Sequence, residues 1–436
     1  MRLSVIGCGY LGAVHAAAMA SIGHEVVGID IDHRKIDLLA SGEAPFFEPG
    51  LNELLASGLA SGQLSFTTEM SEARGADVHF VGVGTPQQAE GDAADLRYVD
   101  AAIEDLVRYL EPGDLVVGKS TVPVGTAARL APSIESVGAT LAWNPEFLRE
   151  GWAVHDTIDP DRIVVGVKEG SDGLRAVDTL RRVFHPSIEK LTPFIVTDYA
   201  TAELVKVSAN AFLATKISFI NAMAEIAEAT GADVTQLADA LGHDTRIGRK
   251  FLGAGIGFGG GCLPKDIRAF AARAEELGRG ESVNFLREVD AINLRRRERA
   301  VQLVVGGLGG VVFGKRVAVL GAAFKPHSDD VRDSPALDVA VRLHGLGADV
   351  VITDPAAIEN ARRIHPQLHY EQDRDAALQG ADAVVLVTEW DEYRRQLDPQ
   401  HAADLVRDRV IVDGRNALDP TSWRAAGWAY FGMGRP

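Results

Sequence analysis

Residues 2–30 read RLSVIGCGYLGAVHAAAMASIGHEVVGID. Arg2–Ile6 predicts a short apolar strand. Gly7-Cys8-Gly9-Tyr10-Leu11-Gly12 follows, then a helical pattern through Ile22 that Gly23 stops. A second strand, His24–Ile29, ends at Asp30. This is G-x-G-x-x-G in the setting its physics requires, with a strand before, a helix after and an acid about 20 residues on. Gly7 makes the turn, Gly9 lets a pyrophosphate reach the backbone, and Gly12 lets helix and strand touch. The helix N-terminus then faces the phosphates. Asp30 suits a ribose 2′-hydroxyl and repels a 2′-phosphate, which favours NAD over NADP; Arg34 and Lys35 nearby temper that preference.

Further strands are expected at Asp77–Val83, Leu115–Lys119 and Thr140–Trp143. Each runs into a loop rich in functional side chains: Gly84-Thr85-Pro86, Ser120-Thr121-Val122-Pro123, and residues 144–151, NPEFLREG. Strands alternating with helices imply a parallel sheet, and ligands bind outside the carboxyl ends of its strands, so these loops should line one crevice. Glu146 and Glu150 are four apart, and a helical turn there would put both carboxylates on one face. A solvated helix start is the plainer reading of the same two acids.

The pattern changes at Asp198. Thr201–Thr230 predicts one long helix that is apolar around much of its circumference and stops at Gly231. Such a helix needs several burying partners, which suggests a connector between domains or a dimer core. Lys206 and Asn210 share one of its faces. Shorter helices are expected at Val234–Leu241, Ile267–Leu277 and Asn284–Val305. Gly306–Gly314 reads as a linker. A second α/β unit follows, with strands at Arg316–Leu320, Asp349–Thr353, Ala383–Val387 and Val410–Val412. It lacks the glycine fingerprint, so it should bind something other than a dinucleotide; Lys325, Arg332 and Arg415 are its candidate anion contacts.

Between the long helix and this unit lies FLGAGIGFGGGCLPKD, residues 251–266. A run so rich in glycine loses much entropy on ordering, so it serves positive φ angles or the close approach of a ligand. Cys262 sits in it, followed by Lys265 and Asp266. A nearby ammonium favours the thiolate over the free thiol's pKa of roughly 8.5. A tight turn around a small buried thiol is the bland alternative.

The bulk composition sets limits. The 436 residues suit two or three domains, and 46% apolar with 24% charged residues describes a soluble globular chain. No stretch approaches an uncharged membrane span, and Met1–Ile6 reads as a strand and not as a signal peptide. Two cysteines make no disulfide framework, and a reducing cytoplasm is expected. A net charge of −17 argues against nucleic-acid binding, though not against a small phosphorylated ligand.

Taken together, these motifs resemble the UDP-glucose/GDP-mannose dehydrogenase family over nearly the whole chain. The resemblance rests on GCGYLG (7–12), FEPGL (47–51), VGTP (83–86), KSTVPVG (119–125), NPEFLREG (144–151), ELVKVSANAFLATKISFIN (203–221), RIGRKFLGAGIGFGGGCLPKD (246–266), FKPHSDDVRDSP (324–335) and DGRN (413–416). Gly261 departs from the family, which often has Ser there. The resemblance implies two Rossmann-like, doubly wound parallel-sheet domains (1–197 for NAD, 306–436 for the nucleotide of the sugar). A central helical domain with a long connecting helix (198–305) would join them.

It further implies a two-step, four-electron, NAD-dependent oxidation of a nucleotide-sugar CH2OH to a carboxylate. UDP-glucose is the expected substrate, with GDP-mannose or another nucleotide sugar as the alternative. Lys206, Asn210 and Asp266 would handle the alcohol proton and alkoxide. Cys262 would form a thiohemiacetal and then a thioester, and Glu146 would activate the hydrolytic water, with Thr121 close by. Cofactor contacts would come from Gly7, Gly9, Tyr10, Leu11, Gly12, Asp30, Lys35, Thr85, Ser120, Thr121, Glu150, Lys265 and Arg332. Sugar-nucleotide contacts would come from Glu146, Phe147, Leu148, Glu150, Lys206, Asn210, Phe251, Gly253, Gly259, Cys262, Lys325 and Arg415, and from Arg246 across a homodimer or higher homo-oligomer. No metal, nucleic acid or membrane partner is expected. A sugar epimerase would need Tyr-x-x-x-Lys, and no tyrosine has a lysine four residues on. A non-enzymatic NAD sensor would have no use for Lys206, Cys262, Asp266 and Glu146 together.

Overall fold

The computed structural model describes residues 1–436. The chain divides into two compact units, Met1–Ala209 with Ala272–Gly278, and Asn210–Ala271 with Arg279–Pro436. No helix is long and apolar enough to cross a membrane.

The first unit carries eight strands: β1 (Arg2–Ile6), β2 (Glu25–Ile29), β3 (Leu64–Thr67), β4 (Val78–Val81), β5 (Leu115–Gly118), β6 (Thr140–Trp143), β7 (Ile163–Val167) and β8 (Phe194–Thr197). They form one sheet in the order β3-β2-β1-β4-β5-β6-β7-β8. The central strands are continuous apolar runs because helices cover both faces, and their side chains are almost wholly buried. The register levels the carboxyl ends: Ile6 pairs with Ile29 on one side and Val81 on the other. Backbone bonds carry the ladder past those ends, from Gly7 N to Ile29 O, Lys119 N to Val81 O and Asn144 N to Gly118 O. Gly7, Lys119 and Asn144 therefore follow one another along a single sheet edge.

One expectation is corrected here: the sheet is not parallel throughout. Strand β7 runs antiparallel to β6, with Trp143 opposite Gly166. Between these strands the chain makes only the short Ala153–Ile158 helix and no full crossover, so it returns in the opposite direction.

The second unit carries β9 (Arg316–Leu320), β10 (Asp349–Thr353), β11 (His369–Tyr370), β12 (Ala383–Leu386), β13 (Val410–Asp413) and β14 (Ala429–Gly432), parallel and ordered β11-β10-β9-β12-β13-β14. Its core joins both sheet faces to Ala300, Val301 and Val304 of the Phe285–Gly307 helix. That helix runs through Gly306 and Gly307, so the expected linker is shorter than the sequence suggested.

The long helix spans Tyr199–Thr230 and its 32 residues rise about 48 Å. Gly231, at φ +74°, ends it. Its first turns belong to the first unit, where buried Glu203 accepts from the Gly125 and Ala127 amides at 2.7 Å each. From Asn210 onward it belongs to the second unit. The pair of Rossmann-like sheets and the long helix agree with the expected fold class.

Candidate active site

The fingerprint loop has the shape a dinucleotide needs. Gly7 adopts φ +88°, and a Cβ on Gly12 would lie 1.9 Å from the Gly7 carbonyl oxygen. A Cβ on Gly9, by contrast, would meet nothing within 4 Å, and Gly9 caps the Tyr10–Ser21 helix without a side-chain hydrogen bond. The first-turn amides thus face open space, which fits a pyrophosphate. At the end of β2, Asp30 Oδ1 accepts from Asp32 N at 3.0 Å and Oδ2 from Lys35 Nζ at 2.8 Å. Lys35, expected to temper the preference that Asp30 sets, is tied to that acid. Leu11 is half-buried, with its side chain beside Gly82 just past the end of β4.

The loops after β4 and β5 are joined. Thr85 Oγ1 donates to Thr121 O at 2.8 Å, and Ser120 Oγ to Val83 O at 2.6 Å. Thr85, Ser120 and Thr121 are thereby brought together.

Residues 144–149 form no helix, so Glu146 and Glu150 do not share a helical face. Glu146 instead turns back on its own loop: Oε1 accepts from Phe147 N at 2.8 Å and Leu148 N at 3.0 Å. Such local carboxylate–amide bonds compete directly with helix formation. Its other oxygen lies 3.1 Å from Lys119 Nζ. Lys119 is almost fully buried and also donates to Asn144 Oδ1 at 2.9 Å, while Asn144 Nδ2 donates to Val164 O. The Phe147 ring carries the Arg162 guanidinium at 3.9 Å and the Lys206 ammonium at 5.4 Å from its centroid. Leu148 packs on the core, and Glu150 is buried.

Glu48, from the FEPGL stretch, was not among the expected site residues. It is buried and accepts from Tyr10 OH, Gly151 N at 2.6 Å and Ala153 N at 2.7 Å. It links the fingerprint helix to the end of the 144–151 loop. Burial and the Glu48 hydrogen bond push the Tyr10 phenol well above its ordinary range. Lys119 was likewise not among the expected site residues. A lysine ending a run of buried strand residues was the available signal, since such a cation requires a partner.

In the second unit, the helix expected from Ile267 begins at Leu263, so Lys265 and Asp266 lie in its first turn. Asp266 N donates to Cys262 O at 2.9 Å, the first intrahelical bond. Cys262 is exposed, whereas Asp266 is buried. Asn210 Nδ2 donates to Asp266 Oδ2 at 2.6 Å, and Lys265 Nζ reaches Oδ1 at 2.5 Å. Asn210, Lys265 and Asp266 are thereby brought together one helical turn from the thiol. The glycines ahead of Cys262 mostly serve close packing within the chain. A Cβ on Gly259 would lie 2.3 Å from Asp333 O, and Gly257 combines φ +93° with contact to Asn293. Gly253 faces open space, and Phe251 is partly exposed at φ +66°.

The remaining candidates spread over this unit. Arg415 is held by three carbonyls, with Nε to Val387 O, Nη1 to Gly257 O and Nη2 to Phe324 O. Burial pulls its guanidinium below the ordinary arginine range. It pins three loops together. Lys325 lies over the Phe324 ring, and Arg332 makes a forked pair with Asp330. A Cβ on Gly261 would meet the Arg332 guanidinium at 2.2 Å, so the small residue before Cys262 leaves that group its place. Arg246 is exposed and paired with Asp244. The second sheet also has an acid after its second strand, but buried Asp354 accepts from Ala322 N, Ala323 N, Ala356 N, Ala357 N and Trp390 Nε1. A carboxylate thus takes up the first free amides after β9, and the next helix begins only at Pro335. No group of acids, histidines and cysteines has a metal-holding arrangement.

Three segments match the parts of one family. Residues 1–188 match the UDP-glucose/GDP-mannose dehydrogenase family, NAD binding domain; 200–295 match its central domain; 318–420 match its UDP binding domain. The chain is 42% identical to the UDP-glucose 6-dehydrogenase of Rhizobium meliloti (strain 1021), with all of both chains covered. It is 40% identical to UDP-glucose 6-dehydrogenase TuaD of Bacillus subtilis (strain 168), covering all of this chain and 93% of that one. Among solved structures, a UDP-glucose dehydrogenase from the hyperthermophilic archaeon Pyrobaculum islandicum matches with a TM-score of 0.90 at 40% identity, covering 100% of this chain and 98% of that one.

Proposed function

The chain belongs to the UDP-glucose/GDP-mannose dehydrogenase family, an NAD-dependent group of oxidoreductases, and from that premise we propose that it oxidises UDP-glucose to UDP-glucuronate in two steps. The observation that carries this reading is an exposed Cys262 one helical turn from buried Asp266, itself hydrogen-bonded to Asn210. The Gly7–Gly12 cradle and Asp30 would hold NAD, which would supply the hydride acceptor for each oxidation. Thr85, Ser120, Thr121, Glu150, Lys265 and Arg332 would complete its contacts.

Lys206, Asn210 and Asp266, with a water, take the alcohol proton and stabilise the developing alkoxide. The resulting aldehyde has no leaving hydride until a nucleophile adds. Cys262 Sγ bonds to the carbonyl carbon, the oxygen takes a proton, and oxidation of this thiohemiacetal gives a thioester. Glu146 then activates the water that releases the carboxylate. Phe251, Lys325 and Arg415 would position the sugar nucleotide. Arg246 would reach the substrate of a neighbouring copy.

The assembly would be a symmetric dimer through the segment 198–305, between an NAD domain (1–197) and a UDP-sugar domain (306–436). Phe212, Phe219 and Ile226 support it, being exposed at intervals of seven along the long helix. A reducing cytoplasm suits a catalytic thiol.

NADH formation against a panel of UDP- and GDP-sugars tests the substrate. The highest kcat/KM is expected with UDP-glucose. A preference for GDP-mannose would move the chain to the alternative activity.

A further inference from the structure

We propose that Lys119 is the positioning residue for the hydrolytic half of the reaction, holding the Glu146 carboxylate in its working orientation. The inference rests on the reading of Glu146 as the group that activates the water.

The geometry is a closed buried set. Lys119 Nζ has a single carboxylate partner, Glu146 Oε2 at 3.1 Å, and one neutral acceptor, Asn144 Oδ1 at 2.9 Å. The rings of Phe80 and Phe184 lie 5.8 and 6.0 Å from the ammonium, and His15 packs edge-on against Phe80. A cation so enclosed cannot turn to solvent for a substitute partner. Asn144 is itself fixed by its bond to Val164 O on β7. Glu146 is in turn held at both ends, with Oε1 on two amides and Oε2 on the ammonium. A glutamate serving only as a surface charge would need neither restraint. Remote restraint of this kind lowers the cost of orienting a reactive group.

The step assigned to the pair is balanced without a further reactant. Water oxygen bonds to the thioester carbon, the C–S bond breaks, and its electron pair stays on sulfur. Of the water's two protons, one goes to the sulfur and restores the thiol, and Glu146 takes the other and passes it to solvent. Neither hydride transfer involves Glu146, so loss of Lys119 should slow hydrolysis alone.

The test follows NADH by rapid mixing with UDP-glucose and follows covalent adduct by intact mass spectrometry. Lys119→Met should keep the burst of two NADH per site within about threefold of the parent rate. Its steady-state turnover should fall at least about tenfold, with a sugar-nucleotide acyl adduct on most chains. Burst and turnover slowing together without adduct, or no change in either, would overturn the proposal. Glu146→Gln separates this from the reading beneath it. If Glu146→Gln accumulates adduct and Lys119→Met does not, only the role of Lys119 falls. If Glu146→Gln hydrolyses normally, both fall. Should Lys119→Met not fold, Lys119→Met/Glu146→Gln removes both charges. A turnover equal to that of Glu146→Gln alone supports the coupling, and a further tenfold loss contradicts it.

Discussion

Asn210 and Asp266, 56 positions apart, meet in a 2.6 Å hydrogen bond with both side chains buried. The amide and the Lys265 ammonium satisfy one carboxylate oxygen each. The long helix is thereby fixed to the first turn of the helix that follows Cys262.

Asn210→Leu should therefore act on folding as well as on turnover. It leaves Asp266 Oδ2 buried without its donor, which costs about 1–3 kcal/mol. Urea unfolding should show that loss, with kcat reduced about a hundredfold or more. A variant as stable and active as the parent would remove the bond from the account.

Two of the three fingerprint glycines should separate folding from cofactor binding. Gly12→Ala drives a Cβ into the Gly7 carbonyl oxygen at 1.9 Å, so both stability and NAD affinity should drop. Gly9→Ala meets no protein atom and should leave the melting temperature nearly unchanged. Its methyl group occupies the space left for phosphate, so calorimetric NAD affinity should fall about tenfold or more. Undiminished NAD binding by Gly9→Ala would place the pyrophosphate elsewhere.

Phe212→Glu/Phe219→Glu should yield a monomer of 46.5 kDa by light scattering, against at least twice that mass for the parent. A parent that is itself an active monomer would contradict the dimer.

Acid should weaken the first unit through His15. Both ring nitrogens are buried without a partner, and burial followed by the Lys119 charge holds the imidazole well below its ordinary range. Folded, it binds fewer protons than in the unfolded chain once the pH falls below about 6.5. Its contribution is thus present above that pH and is lost as the pH drops, by up to about 1.4 kcal/mol per unit. His24, also lowered by burial, adds in the same direction. Urea midpoints at pH 7.5 and 5.5 should converge in His15→Leu relative to the parent. An equal pH loss in both would exclude His15 as a source.

The fold was legible where its signals are local. The fingerprint, the strands before functional loops and the Thr201–Thr230 apolar run each write their structure within one element. The direction of β7 was not, because antiparallel pairing with β6 depends on a connection whose only helix is Ala153–Ile158. The same limit applied to the site. Residue spacing placed Glu146 and Glu150 on a helix, but two amide bonds from the loop's own backbone hold Glu146 outside one. Lys119 finds Glu146 27 positions away, and Glu48 finds Tyr10 38 and Gly151 103 positions away. No periodicity encodes such contacts. The five bonds that Asp354 accepts were hidden for the same reason, although the missing fingerprint already pointed away from a dinucleotide.

The covalent role of Cys262 is the centre of the account, and NADH stoichiometry in Cys262→Ala tests it most directly. The alcohol groups Lys206, Asn210 and Asp266 remain, so one oxidation can proceed. Without sulfur the aldehyde has no efficient route to a tetrahedral adduct, and a hydrate forms in its place only slowly. The account predicts at most about one NADH per UDP-glucose in a single turnover, with aldehyde retained and little UDP-glucuronate. Rapid formation of two NADH and one UDP-glucuronate by the variant would contradict it.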